Sequence, residues 1–169
     1  MNYNNLKEKI KTATIAVAER MANEFPEGEV CAFALYSDAD ARTLAPSLNL
    51  RSNLEAMQSG DPDDAIYYKW APAEWSHEAY AAELFDGISE ELAGLSDSMS
   101  PEQDFEAHCE RIFQICVDVL DEVRPMFLPG KIVVFAVSDM VRADWECKWI
   151  AQLNSAEEAR EFESWMNSL

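Results

Sequence analysis

Two aspartates and an arginine stand close together in the segment FALYSDADARTLAPSLN. Asp38, Asp40 and Arg42 are residue types that can hold a cation, share a proton or contact a charged partner. Their spacing does not fit a calcium loop, which also requires a third acid, a central glycine and a distal glutamate. An acid pair for catalysis lacks an accompanying motif. We therefore expect a turn held by aspartate side chains, with an exposed recognition rim as the alternative.

An aromatic segment, YYKWAPAEW, follows at residues 67–75. Aromatic side chains offer large contact areas at low entropic cost, which makes them frequent interface anchors. The other interpretation is that they fill the core while the glutamate caps or pairs nearby, and we favour it. Trp70, Glu74 and Trp75 remain candidates for contact with a partner.

Signatures of catalysis and of metal or cofactor binding are missing from the sequence. Its two histidines, His77 and His108, adjoin no recognisable nucleophile or acid motif, and its five glycines form no phosphate loop. The four cysteines form no CxxC pair and lie in apolar patterns typical of buried thiols. We expect no catalytic residue, metal or cofactor. The enzyme alternative would use a cleft around Glu74, His77 or Asp139.

Net charge is the unusual feature of the composition. The chain has 32 acidic and 13 basic residues, a formal net charge of −19 and a pI of about 4.3. Between Lys69 and Arg124 the only basic residue is Arg111, and we call this stretch the acidic belt. Such a field repels nucleic acid and anionic membranes and attracts basic partners, although it also serves solubility. The belt supplies these further candidates for partner contact: Glu83, Asp86, Glu90, Glu102, Glu106 and Glu110.

Hydrophobic periodicity and capping signals predict the secondary structure. Helices are expected at residues 6–23, 77–95, 100–124 and 155–168, and strands at 30–37, 43–49, 66–70 and 131–139. The third helix would be capped by Ser100, with Pro101 at its first position and Gln103 completing a capping box, and would end at Arg124–Pro125. Residues 49–60 read as mostly irregular, and 145–150 fit either a strand or a helix.

The order of these elements predicts a single α+β domain over residues 1–169. Helices would pack on a mostly antiparallel sheet, since the strands fall early and late with helices between them. The strand at 131–139 is apolar on both faces, which predicts a central position, whereas Pro46 predicts an edge position for 43–49. Phe113 and Phe135 should both be buried. The lysines that begin the first helix, Lys7, Lys9 and Lys11, are either solvated or paired with the acidic helices.

The segments ALYSDADARTLAPSLN, YYKWAPAEW and VVFAVSD together resemble the bacterial family called domain of unknown function 4303. The resemblance covers most of the chain and rests on structural and aromatic motifs. It implies a small cytoplasmic bacterial protein, and some members belong with toxin–immunity loci. No catalytic residue carries over from the family. An apolar run long enough for a membrane span and a signal peptide are both missing, which also favours the cytoplasm.

The expected function is therefore protein binding. The leading hypothesis is a cytoplasmic immunity protein that neutralises a cognate toxin domain, basic in charge, because charge complementarity accelerates capture. The enzyme described above and a housekeeping interaction protein are the alternatives. The sequence leaves the oligomeric state open.

Overall fold

Seven α-helices and three β-strands make up the described part of the chain, which is residues 3–100, 104–138 and 142–168 of a computed structural model. The strands are β1 (Val30–Ser37), β2 (Leu44–Leu50) and β3 (Ile132–Val137). The helices are α1 (Tyr3–Glu24), α2 (Arg51–Gly60), α3 (Ala65–Trp70), α4 (Asp86–Asp97), α5 (Phe105–Phe127), α6 (Ala143–Leu153) and α7 (Ala156–Met166). Short 3₁₀ helices lie at Pro72–Glu74 and Ala82–Phe85. None of the described helices is long and apolar enough to cross a membrane.

The sheet is mixed, in the order β2-β1-β3. Strands β1 and β2 form an antiparallel hairpin, and β3 pairs with β1 in parallel, with Phe33 opposite Val133. The α+β class is confirmed, but the expectation of a mostly antiparallel sheet is wrong. The reason is the connection: four helices separate β2 from β3, and a crossover of that length can return a strand parallel to β1.

Strand β3 lies at an edge of the sheet, so the predicted central position is wrong. Its burial on both faces comes from α6, whose Trp149 joins one core cluster and whose Ile150 joins the other. Asn154, directly after α6, pairs with backbone groups of Val133 on the outer edge of β3. Its Oδ1 accepts from the Val133 N–H at 2.9 Å, and its Nδ2 donates to the Val133 carbonyl at 2.7 Å. A covered edge needs the same apolar sequence as a central strand. Pro46 does lie on the edge strand β2, as predicted.

The two faces of the sheet carry different side chains. On the first face, large residues such as Phe33 and Phe135 pack against α1, α4 and α5. On the second face, Ala32 and Ala34 lie under a smaller cluster of aromatic residues from α3, the following turn and α7. Phe113 and Phe135 are 0% and 1% exposed, which confirms their predicted burial, and their ring centroids are 5.7 Å apart.

Two predicted elements between β2 and α4 are wrong. Residues 66–70 form helix α3, in which Ile66 and Trp70, four residues apart, both pack in the second-face cluster. Six residues are too few for periodicity to separate a short helix from a strand. The helix expected over 77–95 begins only at Asp86, because Ala79 and Ala81 adopt left-handed φ values of 52° and 56° and interrupt it.

The remaining helix boundaries also refine the sequence interpretation. Helix α5 is capped by Asp104, whose carboxylate accepts from the Ala107 N–H at 3.0 Å, rather than by Ser100. Pro101 and Gln103 lie outside the described residues. The helix continues through Pro125 to its end at Phe127, residues 51–60 are helical, and the undecided segment 145–150 lies within α6. The capping box predicted at Ser155 is confirmed.

Candidate partner-binding surface

The turn between β1 and β2 is held by one carboxylate. Asp38 accepts hydrogen bonds from the Arg42 backbone N–H at 2.7 Å and from the Thr43 hydroxyl at 2.9 Å. The Arg42 guanidinium instead donates to Asp97 on α4 at 2.7 Å and lowers the pKa of that carboxyl. Asp40 is exposed. The described residues contain no group of three or more metal-binding side chains close enough to hold an ion.

The aromatic segment packs inward. Trp70 and Trp75 are 3% and 5% exposed, and the Trp70 indole N–H donates to Glu161 on α7 at 3.0 Å. Glu74 accepts from the Tyr67 hydroxyl at 3.0 Å and is half-buried. In this conformation the two tryptophans cannot contact a partner, and they serve the second-face core.

Two residues of the enzyme alternative, His77 and Glu74, lie in the described part of the chain. The His77 ring Nδ1 lies 2.9 Å from the Ser76 hydroxyl, and the ring packs edge-on against Phe25 with centroids 5.3 Å apart. The carboxylate of Glu74 is engaged with Tyr67, as described above. Asp139 lies outside the described residues. These contacts give His77 and Glu74 separate local partners.

Three acids of the belt, Glu83, Glu91 and Glu122, are paired with bases from the first helix. The three lysines at the start of α1 form ion pairs across to α4 and α5, which confirms the pairing alternative: Lys7 and Lys11 both reach Glu122, and Lys9 reaches Glu91. Further along α1, Arg20 pairs with Glu83. These contacts tie α1 to the acidic helices. They also explain why cations are tolerated at a helix N-terminus, where the dipole disfavours them.

Several exposed carboxylates of the described part of the belt have no such partner. Within residues 3–100, 104–138 and 142–168, Asp86, Glu90 and Glu110 form no ion pair, whereas Glu106 pairs with Arg142 at 3.1 Å. Asp86 and Glu90 are four residues apart on α4 and therefore share one side of that helix. Glu102 lies outside the described residues. The uncompensated charge thus includes an adjacent pair on α4.

An apolar groove lies between α1 and α4, and its lining includes Gly87, the residue that follows Asp86. It has a volume of about 570 Å³ and is lined by Ala13, Ala16, Leu84, Gly87 and Ile88, with Glu8, Lys9 and Thr12 at its polar margin. Leu84 is 40% exposed. The pair Lys9–Glu91 joins α1 to α4, and the pair Arg20–Glu83 joins α1 to the 3₁₀ helix at Ala82–Phe85.

The groove residues were not identified from the sequence. Ala13 fits the apolar face of the first predicted helix. Gly87 lies inside the helix predicted at residues 77–95, where a glycine weakens helical structure. The available signal was the combination of small residues on both helices, because small side chains leave space where two helices face each other. A Cβ built on Gly87 would meet no atom within 4 Å.

The fold and this surface define an acidic, single-domain α+β protein with an apolar groove between α1 and α4 and, on α4, carboxylates that form no ion pair with any described residue. The chain belongs to the family described as domain of unknown function (DUF4303), which it matches over residues 10–155. The match covers most of the chain and confirms the family to which the sequence motifs pointed. The comparisons with curated proteins and with solved structures found no match.

Proposed function

We propose that this protein is a cytoplasmic immunity protein that binds and neutralises a cognate, basic toxin domain. The observations that carry the proposal are the carboxylates of Asp86 and Glu90 on α4, unpaired among the described residues, and the apolar groove between α1 and α4. Interfaces commonly combine an apolar centre with a charged rim. The net charge of −19 adds long-range attraction for a basic partner.

The two parts of the surface would act on different steps of binding. Rim carboxylates attract the partner before contact and set the association rate and its salt dependence. The groove, with the exposed side chain of Leu84, would hold an apolar side chain of the partner after contact and set the dissociation rate. This division makes the proposal testable with two kinds of variant.

The first experiment is co-expression and co-purification with the product of the adjacent gene. The proposal expects a stable complex and loss of the toxic effect of that product. A neighbour that is a metabolic enzyme, or a toxin that does not co-purify, would contradict the immunity assignment.

The charge variant is Asp86→Lys/Glu90→Lys, matched by Glu55→Lys/Asp63→Lys. Both double reversals change the formal net charge from −19 to −15, but Glu55 and Asp63 are exposed residues away from the groove. Stopped-flow association at two salt concentrations should show a slower rate and a shallower salt dependence for the α4 variant. Equal rates for the two variants would mean that only total charge matters.

The groove variant is Gly87→Leu, matched by Gly94→Leu on the same helix. A Cβ atom added at either glycine meets no atom within 4 Å, so both variants should fold, but only Gly87 lines the groove. Gly87→Leu should raise the dissociation rate, whereas Gly94→Leu should leave it near that of the parent. The same dissociation rate in both variants would place the interface elsewhere.

A further inference from the structure

A separate cleft lies on the second face of the sheet. It has a volume of about 230 Å³ and lies between β3, α6, α7 and the turn that follows α3. Its walls include the side chains of Trp70, Pro72, Ala136, Phe162 and Trp165, with Glu146 as the charged residue among them. The cleft therefore combines aromatic and aliphatic walls with one carboxyl group.

Glu146 has no compensating partner in the described part of the chain. It is half-buried, and no described side chain forms an ion pair or hydrogen bond with it. Burial raises the pKa of its carboxyl, and the nearby carboxylate of Asp144 raises that pKa further. A desolvated carboxylate without a partner costs stability. Groups of this kind in clefts are typical of binding sites.

The neighbouring cations are already engaged. Lys69 donates to Glu161 at 2.7 Å and lies over the Trp70 ring, with its Nζ 5.0 Å from the ring centroid. Arg142 pairs with Glu106 and Asp144. Glu146 is thus left for a cation from outside the described chain.

We propose that this cleft binds the end of an alkyl chain that carries a guanidinium or an ammonium group. Glu146 would serve as the counter-ion, and the rings of Trp165 and Phe162 would contact the alkyl chain and the cation. At about 30 Å³ per water-sized group, the volume suits a ligand of roughly eight non-hydrogen atoms. Such chemistry occurs in free alkylguanidines and alkylamines and in arginine or lysine side chains of another protein.

This inference is independent of the immunity proposal. The cleft shares no lining residue with the α1/α4 groove and lies on the other face of the sheet. The charge and groove variants on α4 leave it intact. Failure of either proposal is therefore distinguishable from failure of the other.

The test uses n-butylguanidine as the probe and its neutral analogue n-butylurea as the reference. Binding is followed by isothermal titration and by tryptophan fluorescence, since Trp70 and Trp165 line the cleft. The charged probe should saturate and bind at least about tenfold more tightly than the urea, as expected for a charge-assisted hydrogen bond. Absence of saturable binding at millimolar probe, or equal affinity for both compounds, overturns the proposal.

Two variants connect the binding to Glu146. Glu146→Gln should weaken n-butylguanidine binding about tenfold or more while keeping the fold, because an amide is less costly to bury than an unpaired carboxylate. Glu163→Gln removes the same charge from an exposed position of α7 outside the cleft and should change the affinity little. In addition, ¹³C NMR titration should show the pKa of Glu146 falling when the probe is bound. Equal losses in both variants would indicate general charge attraction and overturn the assignment.

The source of the ligand is distinguished by a further probe, N-acetyl-arginine amide. If it binds as tightly as n-butylguanidine, the cleft accepts an arginine side chain within a polypeptide. If only the free alkylguanidine binds, the ligand is a small molecule. Each of these results supports the cleft as a cation site.

Discussion

The two faces of the sheet bury their side chains in different ways. On the first face the sheet itself supplies large residues, and Phe135 lies with its ring centroid 5.1 Å from Trp149 and 5.7 Å from Phe113. On the second face the sheet supplies smaller side chains, including those of Ala32, Ala34 and Ala136, and the aromatic residues come from the covering helices, such as Trp70 and Phe162. Successive residues of β1 and β3 point to opposite faces, so one face of the sheet carries large side chains and the other carries smaller ones.

This difference in side-chain size determines which face of the sheet has space for a ligand. Large side chains from both layers interlock and fill the space between them. Where the sheet carries small side chains and the covering helices carry aromatic rings, the backbones limit how closely the two layers can approach. Space then remains beside the rings. The cleft around Glu146 lies on that second face, with Ala136 in its wall.

Truncation of a first-face aromatic residue should have the largest effect. Phe135→Ala or Phe113→Ala removes a buried ring and leaves a cavity, which should cost about 3–5 kcal/mol of the free energy of unfolding. Trp165→Ala, in the wall of the second-face cleft and already half-exposed, should cost markedly less. Denaturant unfolding of the three variants measures the difference. An equal loss for Trp165 would mean that the second face is packed as tightly as the first.

Enlargement of second-face alanines should have an intermediate effect that depends on position. Ala34→Val inserts two carbons at a site that is 0% exposed and should cost about 1–3 kcal/mol by overpacking. Ala136→Val places the same carbons in the cleft wall and should cost little. Equal costs measured by urea unfolding would argue against open space beside Ala136.

Local patterns were sufficient for much of the fold. The apolar run of β1 and the capping box at Ser155 depend on neighbours in sequence, and both predictions are confirmed. The position of β3 depends on which strand it joins and on a distant amide, Asn154, that covers its edge. Hydrophobicity alone does not distinguish a central strand from a covered edge.

The candidate site also contains local features that the sequence predicts and long-range contacts that it does not. The Asp38 turn follows from local chemistry, but the pair between Lys9 and Glu91 joins residues 82 positions apart. Its one signal in the sequence is the presence of three lysines at a helix end that disfavours them. The burial of Trp75 agrees with the favoured core interpretation of the aromatic segment, but the partners that bury it depend on the packing of the second face. Glu146 fell in a segment with no definite predicted structure.

Glu146→Gln should raise stability slightly at neutral pH. Burial and Asp144 raise the pKa of this carboxyl in the folded state, so the ionised form destabilises the fold. Lys69 of α3 and Glu161 of α7, two helices that border the cleft, pair with each other. The penalty is complete above the folded-state pKa and disappears as the pH falls to the unfolded-state value. Thermal unfolding should therefore show a gain for the variant at pH 7 that shrinks in acid, and a loss at pH 7 would mean that Glu146 is compensated.

Glu122→Gln should have the smallest effect, with the opposite sign. The lysines of α1, first Lys11 and then Lys7, lower the pKa of Glu122, so its ionised form stabilises the fold. That contribution is present above the unfolded-state pKa and is lost as the pH falls through the lowered folded-state value. Because all three side chains are partly exposed, the variant should lose no more than about 1 kcal/mol at pH 7, and high salt should reduce the loss. Thermal unfolding of the parent, Glu122→Gln and Glu146→Gln across the same pH series compares a paired and an unpaired carboxylate directly. If both variants change stability in the same direction at pH 7, the different environments of the two carboxylates do not control their contribution to the fold.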